Sequence, residues 1–316
     1  MVEEKKEDAS AKSSAAKVSA NKEYKSVSEQ VATIQNEVST QPYRTIKEIK
    51  ALNSPFFDPI QDAPHHHGQP MPFWFVAHTM SIIEVTTGKD SQNKIKEIIS
   101  NMFRTAIAVN PSELGNLFYF FIIKLAPEFV GLETGVGHEM VVKAVAKSCG
   151  KSVQQIRDAF KKEGDLGLVA ASSKRTQKNL GNFFGAAPGS AKKTGVLFKD
   201  VFATFEKIAR TSGSSSVAEK EAAIVKLLQD ATSDEGKFIV RWLEKNLRTG
   251  VAEKTVLSSL ARAICYTPPH LINTDKQVLN NKTKLGNNRF NELCEEVEFG
   301  IKEATCEFPD FGAIID

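Results

Sequence analysis

The sequence predicts an all-α protein of about ten helices. Three observations carry that expectation: apolar residues recur at helical spacing over most of the chain, stop signals separate the runs, and the alternation of a half-buried strand is nearly absent. With 41% hydrophobic and 25% charged residues in a 316-residue chain, there is apolar surface enough for a real core.

Taken in order, Ile95, Ile98, Ile99, Met102, Phe103 and Ile107 fall on one helical face. Asn110-Pro111-Ser112 stops that helix and starts the next, which carries Leu114, Leu117, Phe118 and Phe121. Val136, Met140, Val141, Ala144, Val145 and Cys149 form a further stripe, closed by Gly150. Others run through Phe198–Ala209, Ala222–Leu228, Phe238–Leu247 and, after Gly250, Val256–Ile264. A last helix carries Phe290, Leu293, Val297 and Ile301. Phe103–Phe121 and Trp242–Arg262 echo each other faintly as helix, short turn, helix. Two stretches break the pattern and read as loops, Gly181–Gly195 from its Gly, Pro and Ser content and Thr267–Gly286 from Pro268-Pro269.

The first 52 residues are rich in Ala, Ser, Lys and Glu with few apolar side chains, so a flexible tail is expected there. The helical domain is expected over 53–305, and 306–316 as the start of a linker. The longest apolar run, Leu117–Ile123, falls far short of the roughly 20 residues that span a bilayer. Four cysteines, Cys149, Cys265, Cys294 and Cys306, show no paired spacing and read as reduced thiols of an intracellular protein.

Catalytic chemistry is hard to assemble. There is no phosphate-binding Gly-rich loop, His138-Glu139 lacks the second histidine of a zinc-protease helix, and no Ser/His/Asp or Cys/His set stands out. His65-His66-His67 lies among Pro and Gly and reads as an exposed polar loop in preference to a metal site. No catalytic and no metal-binding residue is therefore expected. Binding surfaces are more legible. Net charge is only +3, so a polyanion would have to be met by a local patch. Lys245, Asn246 and Arg248 close one helix, Gly250 permits a tight turn, and a second helix begins near Val251 with bare N–H groups and a positive dipole end. That combination suits a phosphate, although a solvated, Gly-capped helix end accounts for it too. A second basic region, Lys174–Lys178 with Lys192-Lys193, contains Gln177-x-x-Leu180-x-x-Phe183-Phe184. One tight helical turn would gather Leu180, Phe183 and Phe184 into an apolar plug, fit for a partner's pocket or for the chain's own core.

Several stretches carry a resemblance: Gly131-Leu132-Glu133-Thr134-Gly135-Val136-Gly137 with Lys143–Ala146, Glu163-Gly164-Asp165-Leu166-Gly167-Leu168-Val169-Ala170, Arg175-Thr176-Gln177, Leu247-Arg248-Thr249-Gly250-Val251-Ala252-Glu253, Leu257–Ala263 and Cys306-Glu307-Phe308-Pro309-Asp310. In order and spacing, from about Pro55 to Asp316, the chain resembles the DNA-binding domain of eukaryotic replicative ATP-dependent DNA ligases, the DNA ligase I type. The resemblance implies a helical domain that clamps nicked duplex DNA through minor-groove backbone contacts. In that family it completes a ring with an adenylating domain, bearing Lys-x-Asp-Gly, and an oligonucleotide-binding barrel. No Asp-Gly dipeptide occurs here. A fragment or a chain without its active site is thus expected, inactive in ligation alone, with no cofactor of its own; ATP and Mg belong to the catalytic domains.

Carried over residue by residue, Lys245, Asn246, Arg248 and Gly250 match the family's minor-groove loop. Val76-Ala77-His78-Thr79 matches a second contact at a helix start, with His78 where the familiar ligases have Arg. Gln177, Leu180, Phe183 and Phe184 resemble a sliding-clamp-binding box, which related archaeal ligases carry in this domain. The implied partners are nicked double-stranded DNA and a sliding clamp, with no membrane, and the implied setting is the nucleus in replication and repair. The alternative is a helical module that docks on a clamp, DNA contact being secondary.

Overall fold

Helices form wherever an apolar stripe finds a second helix to cover it. The computed structural model describes residues 42–54, 56–183, 195–272, 274 and 276–315, and over 175–183 the backbone alone. In chain order the helices are α1 (Phe73–Val85), α2 (Ser91–Val109), α3 (Leu114–Phe121), α4 (His138–Cys149), α5 (Val153–Glu163), α6 (Leu166–Phe183), α7 (Phe198–Arg210), α8 (Ser216–Asp230), α9 (Ser233–Leu243), α10 (Glu253–Tyr266), α11 (Lys282–Glu307) and α12 (Phe311–Ile315). Short 3₁₀ turns lie at Pro111–Glu113, Glu128–Val130 and Pro269–Leu271. Among the described residues the only β pairing is one bridge, Pro72 to Leu197. The fold class is all-α, as the periodicity predicts.

The ends of these helices follow local chemistry. Ser152 with Gln155 and Thr232 with Glu235 form reciprocal capping boxes at the starts of α5 and α9. Gly150 and Gly164, both left-handed, close α4 and α5. One apolar cluster then draws on nearly every helix. Its centre is aromatic. Trp242 stacks on Phe205 at 4.2 Å and on Phe120 at 6.1 Å, and its indole N–H donates to the Phe120 carbonyl at 3.1 Å. α6 and α9 cross closely because Gly167 has no side chain: a Cβ there would lie 2.6 Å from the Lys237 carbonyl oxygen.

The folded body is longer at both ends than the pattern suggests. Leu52 is buried, its carbonyl accepts from Asn101 Nδ2 at 2.6 Å, and the Arg44 guanidinium donates to the carbonyls of Ile60, Gln61 and Ala63. Residues 42–52 therefore belong to the body, not to the expected tail. The expected linker is likewise part of it. Phe311 packs on Phe118 at 4.5 Å, and Asp310 accepts from the Tyr119 hydroxyl at 3.1 Å. Of the loop expected over Gly181–Gly195, residues 181–183 are helical, since α6 runs through Phe183, and residues 184–194 lie outside the described residues. α1 escaped periodicity for the opposite reason to a loop: it is apolar nearly all round, with seven buried residues, so no stripe stands out. The last long helix breaks its backbone at Gly286 (φ 74°, ψ 169°).

Two buried titratable groups set the pH response. His65 is buried, not exposed as its neighbours in sequence suggest, and both ring nitrogens lack a partner among the described residues. Burial, helped by His66, pushes its pKa down to about 3 and keeps it neutral. Glu113 accepts the Met71 N–H at 2.9 Å while its other oxygen is buried with no partner among the described residues. Burial pushes its pKa up to about 7, against the smaller pull of the Met71 bond and Lys199. The folded state thus holds that proton more tightly than the unfolded chain, so the Glu113 contribution is full below about pH 4.5 and lost as pH rises through about 7. Glu113→Gln is expected to flatten that loss. Urea unfolding at pH 5 and pH 8 checks it: wild type should weaken relative to the variant at the higher pH.

Candidate nucleic-acid interface

The turn between α9 and α10 is built from the backbone outward. Past Leu243 the chain curls back, with Glu244 N–H donating to Val240, Lys245 N–H to Trp242 and Asn246 N–H to Arg241. Lys245 (φ 54°), Arg248 (φ 55°) and Gly250 (φ 65°) all take left-handed backbone. For the first two this costs about 1–2 kcal/mol each, because the Cβ crowds the following carbonyl. Leu247, buried between them, anchors the turn in the core, while Lys245, Asn246, Arg248 and Gly250 are exposed. The Asn246 side-chain oxygen accepts the Arg248 N–H at 3.0 Å and shapes the bend. α10 begins at Glu253, two residues later than the sequence suggests, behind Ala252, which offers no side-chain cap. Its first N–H groups consequently lack the usual capping oxygen.

Beneath the turn lies a charge that the sequence reading did not single out. Arg241, on α9, is 2% exposed and donates to Asp165 Oδ2 at 2.6 Å through Nη2 and at 3.1 Å through Nε. The same Nη2 reaches Glu84 Oε1 on α1 at 2.8 Å, and Nη1 points at the Leu247 carbonyl at 3.5 Å. Lys237, a turn earlier, holds the other Glu84 oxygen at 2.9 Å. Asp165, 5% exposed, also accepts the Gly167 N–H at 2.8 Å and so begins α6. Burial works to raise the Asp165 pKa, but the Arg241 bonds and charge hold it below the usual carboxylate value. Its only signal in the sequence is a charge set among Phe238, Ile239, Trp242 and Leu243.

The outer cations are held far more loosely. Arg248, 44% exposed, donates to the Gly164 carbonyl at 2.5 Å and stands 3.5 Å from Asp165. Lys245, 59% exposed, pairs with Glu133 at 2.7 Å, itself in solvent. Exposed pairs of this kind contribute little, about 0–1 kcal/mol, so both cations can exchange these partners for an external anion at small cost. The ends of α3 and α9 close alike, a different pairing from the echo in the sequence. α3 closes with Ile123 left-handed (φ 58°), its N–H on Phe120, and with Lys124 N–H on Tyr119. α9 does the same with Lys245 and Asn246. A cavity of about 460 Å³ opens between the two ends, lined by Ile123, Leu125, Glu133, Trp242 and Lys245.

The other expected residues fare differently. His78 and Thr79 sit inside α1, not at its start. Thr79 is fully buried, its hydroxyl donating to the Phe75 carbonyl at 2.8 Å and contacting Met102 sulfur, which corrects the expected contact there. His78 is half-buried, and burial lowers its pKa against the opposing pull of Asp234, so it carries little charge at neutral pH. Asp234 stands at the far end of α9 from the turn, roughly 16 Å along an 11-residue helix. Gln177, Leu180 and Phe183 lie on α6, but their side chains, and Phe184 altogether, are outside the described residues. No three His, Cys, Asp or Glu side chains among the described residues are grouped to hold a metal ion, and no described helix is long and apolar enough to cross a membrane.

A family model described as "DNA ligase N terminus" matches residues 72–261, more than half of the chain and all of the Arg241 network and turn. The chain belongs to this DNA ligase N-terminal family. A DNA ligase 1 of Dictyostelium discoideum is 30% identical over 259 residues, 82% of this chain and 21% of that protein. For a DNA ligase 1 of Arabidopsis thaliana the identity is 33% over 214 residues, 68% of this chain and 25% of the relative. A DNA ligase of Pyrobaculum islandicum is 30% identical over 193 residues, 61% and 31% respectively. The chain thus spans between a fifth and a third of the length of these relatives.

In this DNA ligase N-terminal domain the inner and outer arginines should behave oppositely. Arg241→Met leaves buried Asp165 without its bidentate partner and Glu84 with Lys237 alone, and is expected to cost about 3–5 kcal/mol of unfolding free energy. Arg248→Ala should change it by no more than about 1 kcal/mol. Denaturant titration of the two variants measures both.

Proposed function

We propose that this helical body binds nicked duplex DNA through its sugar–phosphate backbone and presents it for sealing by ligase catalytic domains. The observation that carries the reading is the exposed turn Lys245–Gly250: two weakly paired cations, an amide side chain, a glycine and an uncapped helix start, all on one short segment. Such groups bind phosphate oxygens and carry no base code, which suits a protein that must engage any sequence. Membership of the DNA ligase N-terminal family supports the same substrate. ATP and Mg would serve the catalytic domains, and replication and repair of nuclear DNA would be the setting. Fluorescence anisotropy with nicked duplexes across a salt series tests the proposal. Affinity should fall steeply with salt and vary little with sequence. Arg248→Ala should lower the log–log salt slope by roughly 0.9, the share of one phosphate contact. Salt-independent binding would overturn it.

A sliding clamp as second partner rests on the spacing Gln177-x-x-Leu180-x-x-Phe183-Phe184, with the first three positions on α6. Replacing Phe183 and Phe184 together by Ala should abolish clamp pull-down and leave DNA affinity intact. Undiminished clamp capture by that variant would refute the box.

A further inference from the structure

Two of the four cysteines, far apart in sequence, meet where α10 packs against α11. Cys265 is buried in a small cluster with Tyr266 and Phe290, and half-buried Cys294 packs against it with Leu285, Leu293 and Val297. Both cysteines thus share one cluster between two helices that pack closely along their length. Two cations cover the cluster. Arg262 lies 5.4 Å from the Tyr266 ring and 5.3 Å from that of Phe290, and is tied to Glu97 at 2.9 Å; Lys282 lies 5.9 Å and 5.8 Å from the same rings. The charged groups facing the sulfurs are thus Arg262 and Lys282 on one side of the balance and Glu97 and Glu296 on the other.

This surrounding makes the two thiols unequal. The neighbouring Cys265 thiol, followed by Arg262 and Lys282, brings the Cys294 thiol below its ordinary value against the opposing effects of burial and Glu97. The neighbouring Cys294 and burial push the Cys265 thiol up. One sulfur is thus partly exposed and favoured for ionisation, while the other is buried and disfavoured for it. An attacking and a resolving cysteine divide their work in this way.

We propose that Cys265 and Cys294 are a reversible redox pair, which a peroxide closes into a disulfide stapling α10 to α11. The Cys294 thiolate attacks one peroxide oxygen; an S–O bond forms, the O–O bond breaks, and the leaving hydroxide takes a proton to become water. The Cys265 sulfur then attacks the Cys294 sulfenic acid. An S–S bond forms, the S–O bond breaks, and the departing hydroxide carries off the Cys265 proton as a second water. Two thiols are oxidised by two electrons and one peroxide is reduced to two waters.

Treating the full chain with hydrogen peroxide, alkylating it and mapping a non-reducing digest by mass spectrometry tests the proposal. The expected product is a peptide pair joined through Cys265 and Cys294, about 2 Da lighter than the two free peptides and separated again by dithiothreitol. In Cys265→Ser, dimedone should trap a sulfenic acid on Cys294; in Cys294→Ser, Cys265 should stay a thiol. Over-oxidation of Cys294 beside an unreacted Cys265 in the wild type, or a link made through Cys149 or Cys306 instead, would overturn it.

Discussion

Arg241 is the charge on which the rest of this molecule depends. Removing a guanidinium from water costs several kcal/mol, and here that cost is offset only because carboxylates arrive from two other elements, Glu84 from α1 and Asp165 from the start of α6. The pairing does more than neutralise. Asp165 also caps α6 through the Gly167 N–H, and Arg241 accepts the Asn246 N–H on its own carbonyl while its side chain reaches toward Leu247. Three helices and the turn are thereby referenced to a single planar group. With its fork of donors in fixed geometry, arginine suits that junction as lysine could not.

The consequence for the turn is a separation of roles. A buried cation holds the backbone in place, and exposed cations four and seven residues away keep their side chains available. Left-handed conformations at Lys245 and Arg248 are unfavourable taken alone, yet they aim neighbouring side chains outward while Leu247 turns inward. The outer contacts hold these cations before any partner arrives and yield readily, since Lys245 and Glu133 are screened by solvent and exposed Arg248 stands 3.5 Å from an Asp165 already paired with Arg241. A polyanion would enter a surface whose positive groups are already positioned.

How much of this was legible depended on whether the signal was local. Amphipathic stripes predict α2, α3, α4 and α7 through α11 because one face of each meets the core and the other meets water. α1 gave no stripe since it is enclosed on nearly all sides, and the terminal segments at 42–52 and 306–315 gave none since they are short and anchored by single residues, Leu52 and Phe311. At the site, the exposed turn was readable from Lys245, Arg248 and Gly250 in sequence. Thr79 was not, because only the packing of α1 against α2 shows its hydroxyl facing Met102.

From the order of residues alone came the helical class, the boundaries set by prolines and glycines, and the basic turn, all of which depend on neighbours a few positions apart. Tertiary structure alone decided which charges are buried together and which stay free. Arg241 and Asp165 are separated by 76 positions and Cys265 and Cys294 by a whole loop, and no local pattern encodes such meetings. They arise when apolar faces pack, and the loss of water around a charge is what gives its new neighbour its weight.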